Sequence, residues 1–241
     1  MAVKLRSISR SIPWFLIFKA AVFGAAWLFL PFWLFLLIAL YLYFFPPFQI
    51  FRLGLPFLLV IAGAAVFERG LVTGAILSLI FYLILGIKDL IFIKRVLAYK
   101  VMTVALIFLV TSGFFPRFSS WGSLSVTFWS LVLTAIFFLL SKNLYNYEEF
   151  SSPRTLKTGR SEKLLAFGIL GLFGFELAFL LLFLPFSFYY QTAFFLAFNL
   201  LILALTLDYL RGLHFPKKII VGLSFLFVFL VFILASTEWA I

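Results

Sequence analysis

The sequence predicts an all-α integral membrane protein, a polytopic bundle of about nine transmembrane helices. Its 241 residues are 66% hydrophobic and only 11% charged, which lies far outside the composition of a soluble globular domain. Apolar runs close to the roughly 20 residues that a helix needs to cross the hydrocarbon core recur along the chain. Because these runs are apolar on every side, they favour helices over the alternating strands of a membrane barrel.

Seven of the predicted spans are distinct apolar segments. They cover residues 50–67, 70–87, 98–115, 122–141, 164–184, 188–207 and 218–237. The first apolar block, residues 12–45, is too long for one comfortable crossing, and Pro31 divides it into two arms of about 17 residues. We expect two spans here, which gives nine in all. A re-entrant N-terminal hairpin, which gives seven spans, is the alternative.

The distribution of basic residues predicts the orientation in the membrane. Lys and Arg concentrate in cytoplasmic segments, so the basic N-terminal tail and the basic segment 88–100 should lie on the same side. With nine spans, sixteen of the nineteen basic residues are cytoplasmic, Arg69 and Arg117 lie outside, and Lys19 lies within the first span. We therefore expect an inner or plasma membrane protein with a cytoplasmic N-terminus and an extracytoplasmic C-terminus.

The net charge of +11 follows from this orientation. The basic residues lie between spans, where they suit anionic lipid headgroups at the cytoplasmic face. The lipid bilayer is thus the expected partner of these charges, and no nucleic-acid partner is expected.

One polar segment divides the chain. Residues 141–163, SKNLYNYEEFSSPRTLKTGRSEK, are rich in Ser, Thr, Asn and charge and show no apolar periodicity. This composition predicts a flexible cytoplasmic loop. The expected organisation is a six-span N-terminal bundle over 1–140, the linker over 141–163, and a three-span C-terminal segment over 164–241.

Small residues predict where helices approach closely. Gly24 lies among alanines in the first span, AGAA occupies 62–65, and Gly70 and Gly74 begin the fourth span. Small side chains let helix backbones come together in membranes, so we expect helix contacts at these positions.

Residue types that enzymes use are scarce. The chain has no cysteine, and its single histidine, His214, neighbours basic residues instead of a carboxylate or hydroxyl partner. This composition excludes thiolate sites and histidine-based metal clusters, and the phosphate-loop, H-E-x-x-H and G-x-S-x-G motifs are absent. No cofactor or metal is expected.

Lipid headgroup contacts are predicted at the cytoplasmic ends of two spans. Asp89 and Asp208 each end a span and precede basic residues. This pattern suits a lipid phosphate, although helix ends and the positive-inside rule also produce it without any function. The candidate contacts are Asp89, Lys94, Arg95, Asp208, Arg211, Lys217 and Lys218.

Glu176 is the residue most indicative of a function. It lies in the apolar run GLFGFELAFLLLF, near mid-depth, where a charged group costs about 2.5–3.5 kcal/mol on insertion scales. At about 100° per residue, Glu176 projects almost opposite a face of small residues. That face comprises Gly171, Gly174 and Ala178.

Asn199 is the expected partner of Glu176. Counted from Ser187 in the hairpin turn, Glu176 lies eleven residues before and Asn199 twelve residues after, so the two should have nearly the same depth. We expect them to share a polar pocket between the two helices, because a buried carboxyl group needs a polar neighbour.

These features favour a non-enzymatic structural or assembly subunit of a membrane complex, with other membrane proteins as partners. The spans contain too few polar residues to line a transport path, and the pair Glu176 and Asn199 can hold helices together. The alternative is a small transporter or proton-coupled carrier that uses this pair as its site. A lipid-modifying enzyme at the cytoplasmic face is a third, less favoured, interpretation.

Overall fold

A computed structural model describes residues 14–47, 50–92, 94–120, 123–151, 159–184, 187–210, 212 and 216–236. Within these residues the chain forms nine α-helices and one short 3₁₀ helix, and no strand, which confirms the predicted all-α helical bundle. Each α-helix overlaps a predicted span. In chain order they are α1 (Trp14–Phe29), α2 (Phe32–Phe44), α3 (Ile50–Val66), α4 (Leu71–Lys88), α5 (Arg95–Phe114), α6 (Ser123–Ser151), α7 (Arg160–Phe183), α8 (Phe188–Leu210) and α9 (Pro216–Ser236), and the 3₁₀ helix (Phe115–Ser120) follows α5.

The helices differ in length. Within the described residues, five of them, α4 to α8, are long and apolar enough to cross a membrane. The apolar parts of α1, α2, α3 and α9 are shorter, and the 16 residues of α1 measure about 24 Å at about 1.5 Å per residue. Apolar helices of these lengths identify a membrane protein.

The chain divides into two compact units, Met1–Met102 and Thr103–Ile241. The boundary lies within α5. In the second unit, α6 and α7 pack extensively on each other, although they flank the predicted linker. The boundary between the two compact units, after Met102, therefore comes earlier in the chain than the predicted linker at 141–163.

Residues 141–151 and 160–163 of the polar segment are helical, where a flexible loop was predicted, and residues 152–158 lie outside the described residues. α6 continues through its first half, and α7 begins before it ends. The Tyr145 ring packs edge-on against Phe167, with 5.6 Å between ring centroids, and Lys163 Nζ lies 2.7 Å from Glu149 Oε1. These contacts between the two helices supply packing that the polar composition does not indicate.

Small residues bring α1 and α4 together in the first unit. A Cβ at Gly24 would overlap the Ser78 hydroxyl, and one at Gly74 would lie 3.4 Å from the Trp27 ring. Trp27 Nε1 also donates a 2.8 Å hydrogen bond to the Ala64 carbonyl of α3. Gly24 and Gly74 thus mark close helix contacts, as predicted.

Stacked aromatic rings fill the core of the first unit. The ring centroids of Phe23 and Phe81 lie 4.2 Å apart, and those of Tyr43 and Phe57 lie 4.0 Å apart. Phe35 meets Phe23 edge-on at 5.1 Å. These pairs join all four helices of the unit's N-terminal part, α1 to α4.

Close packing also joins the helices of the second unit. A Cβ at Gly171 would lie 3.6 Å from the Phe138 ring of α6, and one at Gly222 of α9 would lie 2.6 Å from Leu201 of α8. A buried apolar cluster connects α5, the 3₁₀ helix, α6, α7 and α8. It comprises Phe114, Phe115, Leu133, Ala178, Leu181, Phe194 and Phe195.

Candidate functional site

Glu176 projects outward from α7. Its side chain is exposed, and its apolar neighbours on the same side of the helix are exposed as well. Leu172, Phe173 and Leu180 have relative exposures of 58%, 47% and 55%. The carboxylate therefore belongs to an apolar outer surface of the second unit.

Asn199 is fully buried on α8. Its Nδ2 donates a 2.9 Å hydrogen bond to the Phe195 carbonyl of the same helix, while its Oδ1 is buried without a hydrogen-bond partner. A Cβ at Gly174 would lie 3.3 Å from that Oδ1. The asparagine thus packs on the small face of α7.

The expected pocket shared by Glu176 and Asn199 is not formed. Gly174 and Glu176 are two residues apart, which is about 200° around a helix axis, and α8 packs on the Gly174 side. Glycine allows the closer backbone approach, so the small face receives α8 and the carboxylate is left outside. Equal depth along the two helices does not determine which side of α7 faces α8.

Gln191 is a buried polar residue that sequence reasoning missed. It lies at the start of α8, and its Nε2 donates to the carbonyl oxygens of Leu181 at 2.9 Å and Leu184 at 3.5 Å. The last carbonyl groups of a helix have no partner within the helix, and this side chain satisfies those at the end of α7. The position of this polar residue just after the turn between α7 and α8 could have indicated a role at the end of α7.

Lys88 is the most completely buried charged residue described. Its relative exposure is 0%, and its Nζ donates to the carbonyl oxygens of Tyr43 at 2.6 Å and Pro46 at 2.5 Å. Asp89 Oδ1 lies 3.3 Å from the same nitrogen, an ion-pair contact. Two carbonyl oxygens and one carboxylate thus surround this ammonium group.

Lys19 reaches the same segment from α1. Its Nζ donates a 2.7 Å hydrogen bond to the Phe45 carbonyl and lies 4.6 Å from the centre of the Phe15 ring. The residue is only 4% exposed. Lys19 therefore ends in a groove between α1 and the end of α2, where sequence reasoning did not place a hydrogen-bond acceptor.

The end of α2 explains why two lysines converge. The last carbonyl groups of a helix need donors, and the helix is followed by Pro46 and Pro47, which have no N–H group to offer. Lysine side chains near a helix C-terminus supply such donors and complement its partial negative charge. We call Lys19, residues 43–46, Lys88 and Asp89 the lysine end of the first unit.

The remaining predicted headgroup contacts differ in exposure. Lys94 and Arg95 are exposed, and Arg95 Nε donates to the Phe92 carbonyl at 3.3 Å. Asp208 is half-buried in the second unit, whereas Asp89, Lys94 and Arg95 belong to the first. Arg211 and His214 lie outside the described residues. The backbone of Lys217 and Lys218 belongs to α9, and their side chains lie outside the description.

A small apolar cleft, of ≈ 10 Å³, lies within the second unit. The Thr111 hydroxyl at its wall donates to the Ile107 carbonyl at 2.8 Å, so that polar group is already satisfied. The other lining residues are Val110, Leu133, Ile136, Phe137, Leu140 and Phe195. The described residues also contain no group of three or more acidic or histidine side chains that could hold a metal ion.

Comparisons with protein-family models, with curated proteins and with solved structures find no match to this chain. Its function is therefore inferred from its residues and their geometry.

Proposed function

We propose that the chain is a non-enzymatic subunit of a membrane complex and that it binds another membrane protein through the face of α7 that carries Glu176. The observation that carries this proposal is the exposure of a carboxylate on an otherwise apolar helix surface. A partner helix on this face would remove the carboxylate from lipid. We call Ile169, Leu172, Phe173, Glu176 and Leu180 the Glu176 face.

Glu176 lies in the interior of α7, away from both helix ends. It lies seven residues before the end of α7 at Phe183, which corresponds to about 10 Å along the helix. Long Lys and Arg side chains can extend from such a position to the interface, but a glutamate side chain is shorter. A charged group in this position costs about 2.5–3.5 kcal/mol on insertion scales, and a hydrogen-bonding partner in a neighbouring helix offsets that cost.

Charge complementarity favours a different protein over a second copy of this chain. The Lys and Arg residues of this chain lie near the ends of its apolar runs. Lys19, which lies within one, is five residues after the start of α1 at Trp14, whereas Glu176 is far from the start of α7 and seven residues before its end at Phe183. A second copy thus offers no cation at the level of Glu176. The expected partner is a transmembrane helix with a basic or hydrogen-bond-donating residue at that depth.

The other two interpretations lose their supporting arrangement. A carrier that used Glu176 and Asn199 as one site needs the two side chains to meet, whereas Asn199 packs on Gly174. A lipid-modifying enzyme would need available carboxylates, yet Asp89 is paired with the buried Lys88.

We also propose nine crossings of a plasma-type membrane, with the N-terminus in the cytoplasm. The antiparallel α1–α2 hairpin and the distribution of basic residues support this orientation. The short helices α1 and α2 can cross a bilayer that thins locally around them. Thinning costs only fractions of a kcal/mol per Å of difference between the helix length and the bilayer thickness.

Site-specific photocrosslinking in native membranes tests the proposed interface. A benzoylphenylalanine replaces Phe173 on the Glu176 face, and the control replaces Phe225, which is 67% exposed on α9. We expect one discrete protein adduct from position 173 and none from position 225. The adduct should disappear when Glu176→Leu is added, because the partner's polar group then loses its acceptor.

The identity of the adduct decides between the alternatives. A partner peptide with a basic or donor residue in its transmembrane segment supports the proposal. An adduct of two copies of this chain, adducts with lipid alone, or a pattern unchanged by Glu176→Leu would each contradict it.

A further inference from the structure

The lysine end of the first unit carries more positive than negative charge. The ammonium groups of Lys19 and Lys88 bind different carbonyl groups of the same segment, residues 43–46. Within the described residues, Asp89 is the carboxylate in ion-pair contact here, and its partner is Lys88. Arg95 adds a further cation nearby, because its side chain donates to the Leu90 and Phe92 carbonyls in the turn after Lys88. The cluster therefore retains a net positive charge.

The two lysines differ in how completely they are bound. The Lys88 ammonium donates to two carbonyl oxygens and is also in ion-pair contact with the Asp89 carboxylate. An ammonium group has three N–H donors, and the described contacts of Lys19 include one acceptor, the Phe45 carbonyl. Lys19 thus has donor capacity for a further acceptor.

The Lys19 ammonium lies beside exposed apolar residues, although the residue as a whole is only 4% exposed. It is 4.6 Å from the centre of the Phe15 ring, which is 62% exposed, and its hydrogen bond to the Phe45 carbonyl is only partly buried. An acceptor that reached the ammonium from the surface would therefore contact the Phe15 ring. An acyl chain suits such an apolar neighbour, and inorganic phosphate does not.

We propose that Lys19 binds a phosphate oxygen of an anionic phospholipid in the leaflet at the lysine end. Phosphate is a strong acceptor, and lysine binds it as a compact point charge. The cytoplasmic leaflet supplies anionic lipid on the side where the basic residues of this chain are expected. Free phosphate shares the chemistry of the headgroup, and the experiment separates the two sources.

Native mass spectrometry of the purified full chain measures the lipid retained. Phosphatidylglycerol and phosphatidylcholine are supplied to wild type, to Lys19→Met and to the matched control Lys142→Met, which removes an exposed lysine of α6. The wild type and the control should prefer phosphatidylglycerol. The Lys19→Met variant should bind it about tenfold more weakly, as expected for one lost charge-assisted hydrogen bond.

Each outcome bears on the proposal. An unchanged preference in Lys19→Met, or an equal loss in Lys142→Met, would overturn it. If Lys19→Met does not fold, Lys19→Arg must keep the preference, and competition between the two lipids on the wild type must still favour phosphatidylglycerol. Displacement of the bound lipid by millimolar inorganic phosphate would show that the site takes phosphate without a lipid, and would overturn the lipid assignment.

Discussion

Lys19 and Phe45 are 26 residues apart in the chain, yet the lysine Nζ lies 2.7 Å from the Phe45 carbonyl oxygen. In one continuous helix these residues would be separated by about 39 Å at about 1.5 Å per residue. The contact therefore requires that α1 and α2 run antiparallel, with the turn at Leu30 and Pro31. It excludes a single tilted span over residues 12–45.

The hairpin makes a prediction about labelling from outside the cell. If α1 and α2 both cross the membrane, a cysteine replacing Phe29 next to the turn should react with a membrane-impermeant maleimide. The chain has no cysteine of its own, so labelling has no background. Glu68→Cys in the next outer turn should react too, and Lys142→Cys should not.

A re-entrant hairpin would give a different pattern. Its turn would lie within the bilayer, so Phe29→Cys would remain unlabelled while Glu68→Cys reacted. That result would reduce the number of crossings to seven.

Removal of the Lys88 ammonium should destabilise the first unit. Lys88→Met leaves the Tyr43 and Pro46 carbonyls and the Asp89 carboxylate without their shared cation. Breaking a buried pair from one side costs about 3–5 kcal/mol, and we expect a loss of that order in the free energy of unfolding in detergent. Adding Asp89→Asn should recover part of it, because the carboxylate then no longer needs a cation.

Lys142→Met is the matched control for this measurement. Lys142 is exposed on α6, so its removal should change the free energy of unfolding by no more than about 0.5 kcal/mol. Equal effects of the two substitutions would contradict a structural role for Lys88.

Asn199→Leu should be neutral or stabilising. The Asn199 Oδ1 is buried without a hydrogen-bond partner, and its Nδ2 bonds only within α8. Replacement of such a group by an apolar side chain of similar size removes a desolvation cost. A rise or no change in the thermal unfolding temperature is expected. A loss above about 1 kcal/mol would indicate a polar partner for Asn199.

Substitution of Gly24 tests the α1–α4 contact, and substitution of Gly54 is the matched control. A Cβ at Gly24 overlaps Ser78, whereas nothing lies within 4 Å of one at Gly54 in α3. Because overpacking costs about 1–3 kcal/mol, Gly24→Val should lower the free energy of unfolding by that amount relative to Gly54→Val. Equal effects of the two valines in a denaturant titration would contradict the close contact.

The positions of the helices could be predicted from the sequence, because apolar runs of span length are long and strongly marked. The helical extension of α6 could not be predicted, because its polar residues are typical of a loop. The helix continues because Tyr145 packs on Phe167 and Glu149 forms an ion pair with Lys163. Such long-range contacts leave no local periodicity in the sequence.

The candidate site was less predictable than the fold. The sequence placed Glu176 opposite the small face of α7, but it did not indicate that α8 packs on that small face through Asn199. The sequence placed Lys88 only in the basic segment 88–100 that was expected at the cytoplasmic face, because its acceptors come from a segment more than forty residues earlier. In both cases the deciding contact lies between helices.

A charge exchange at Glu176 tests the central claim most directly. Once crosslinking has identified the partner, Glu176→Lys should abolish the complex extracted into native nanodiscs, and replacement of the partner's basic residue by glutamate should restore it. Val228→Lys, a control on the exposed surface of α9, should leave the complex intact. A complex that persists in Glu176→Lys would contradict the account, because the Glu176 face would then bind no partner through its charge.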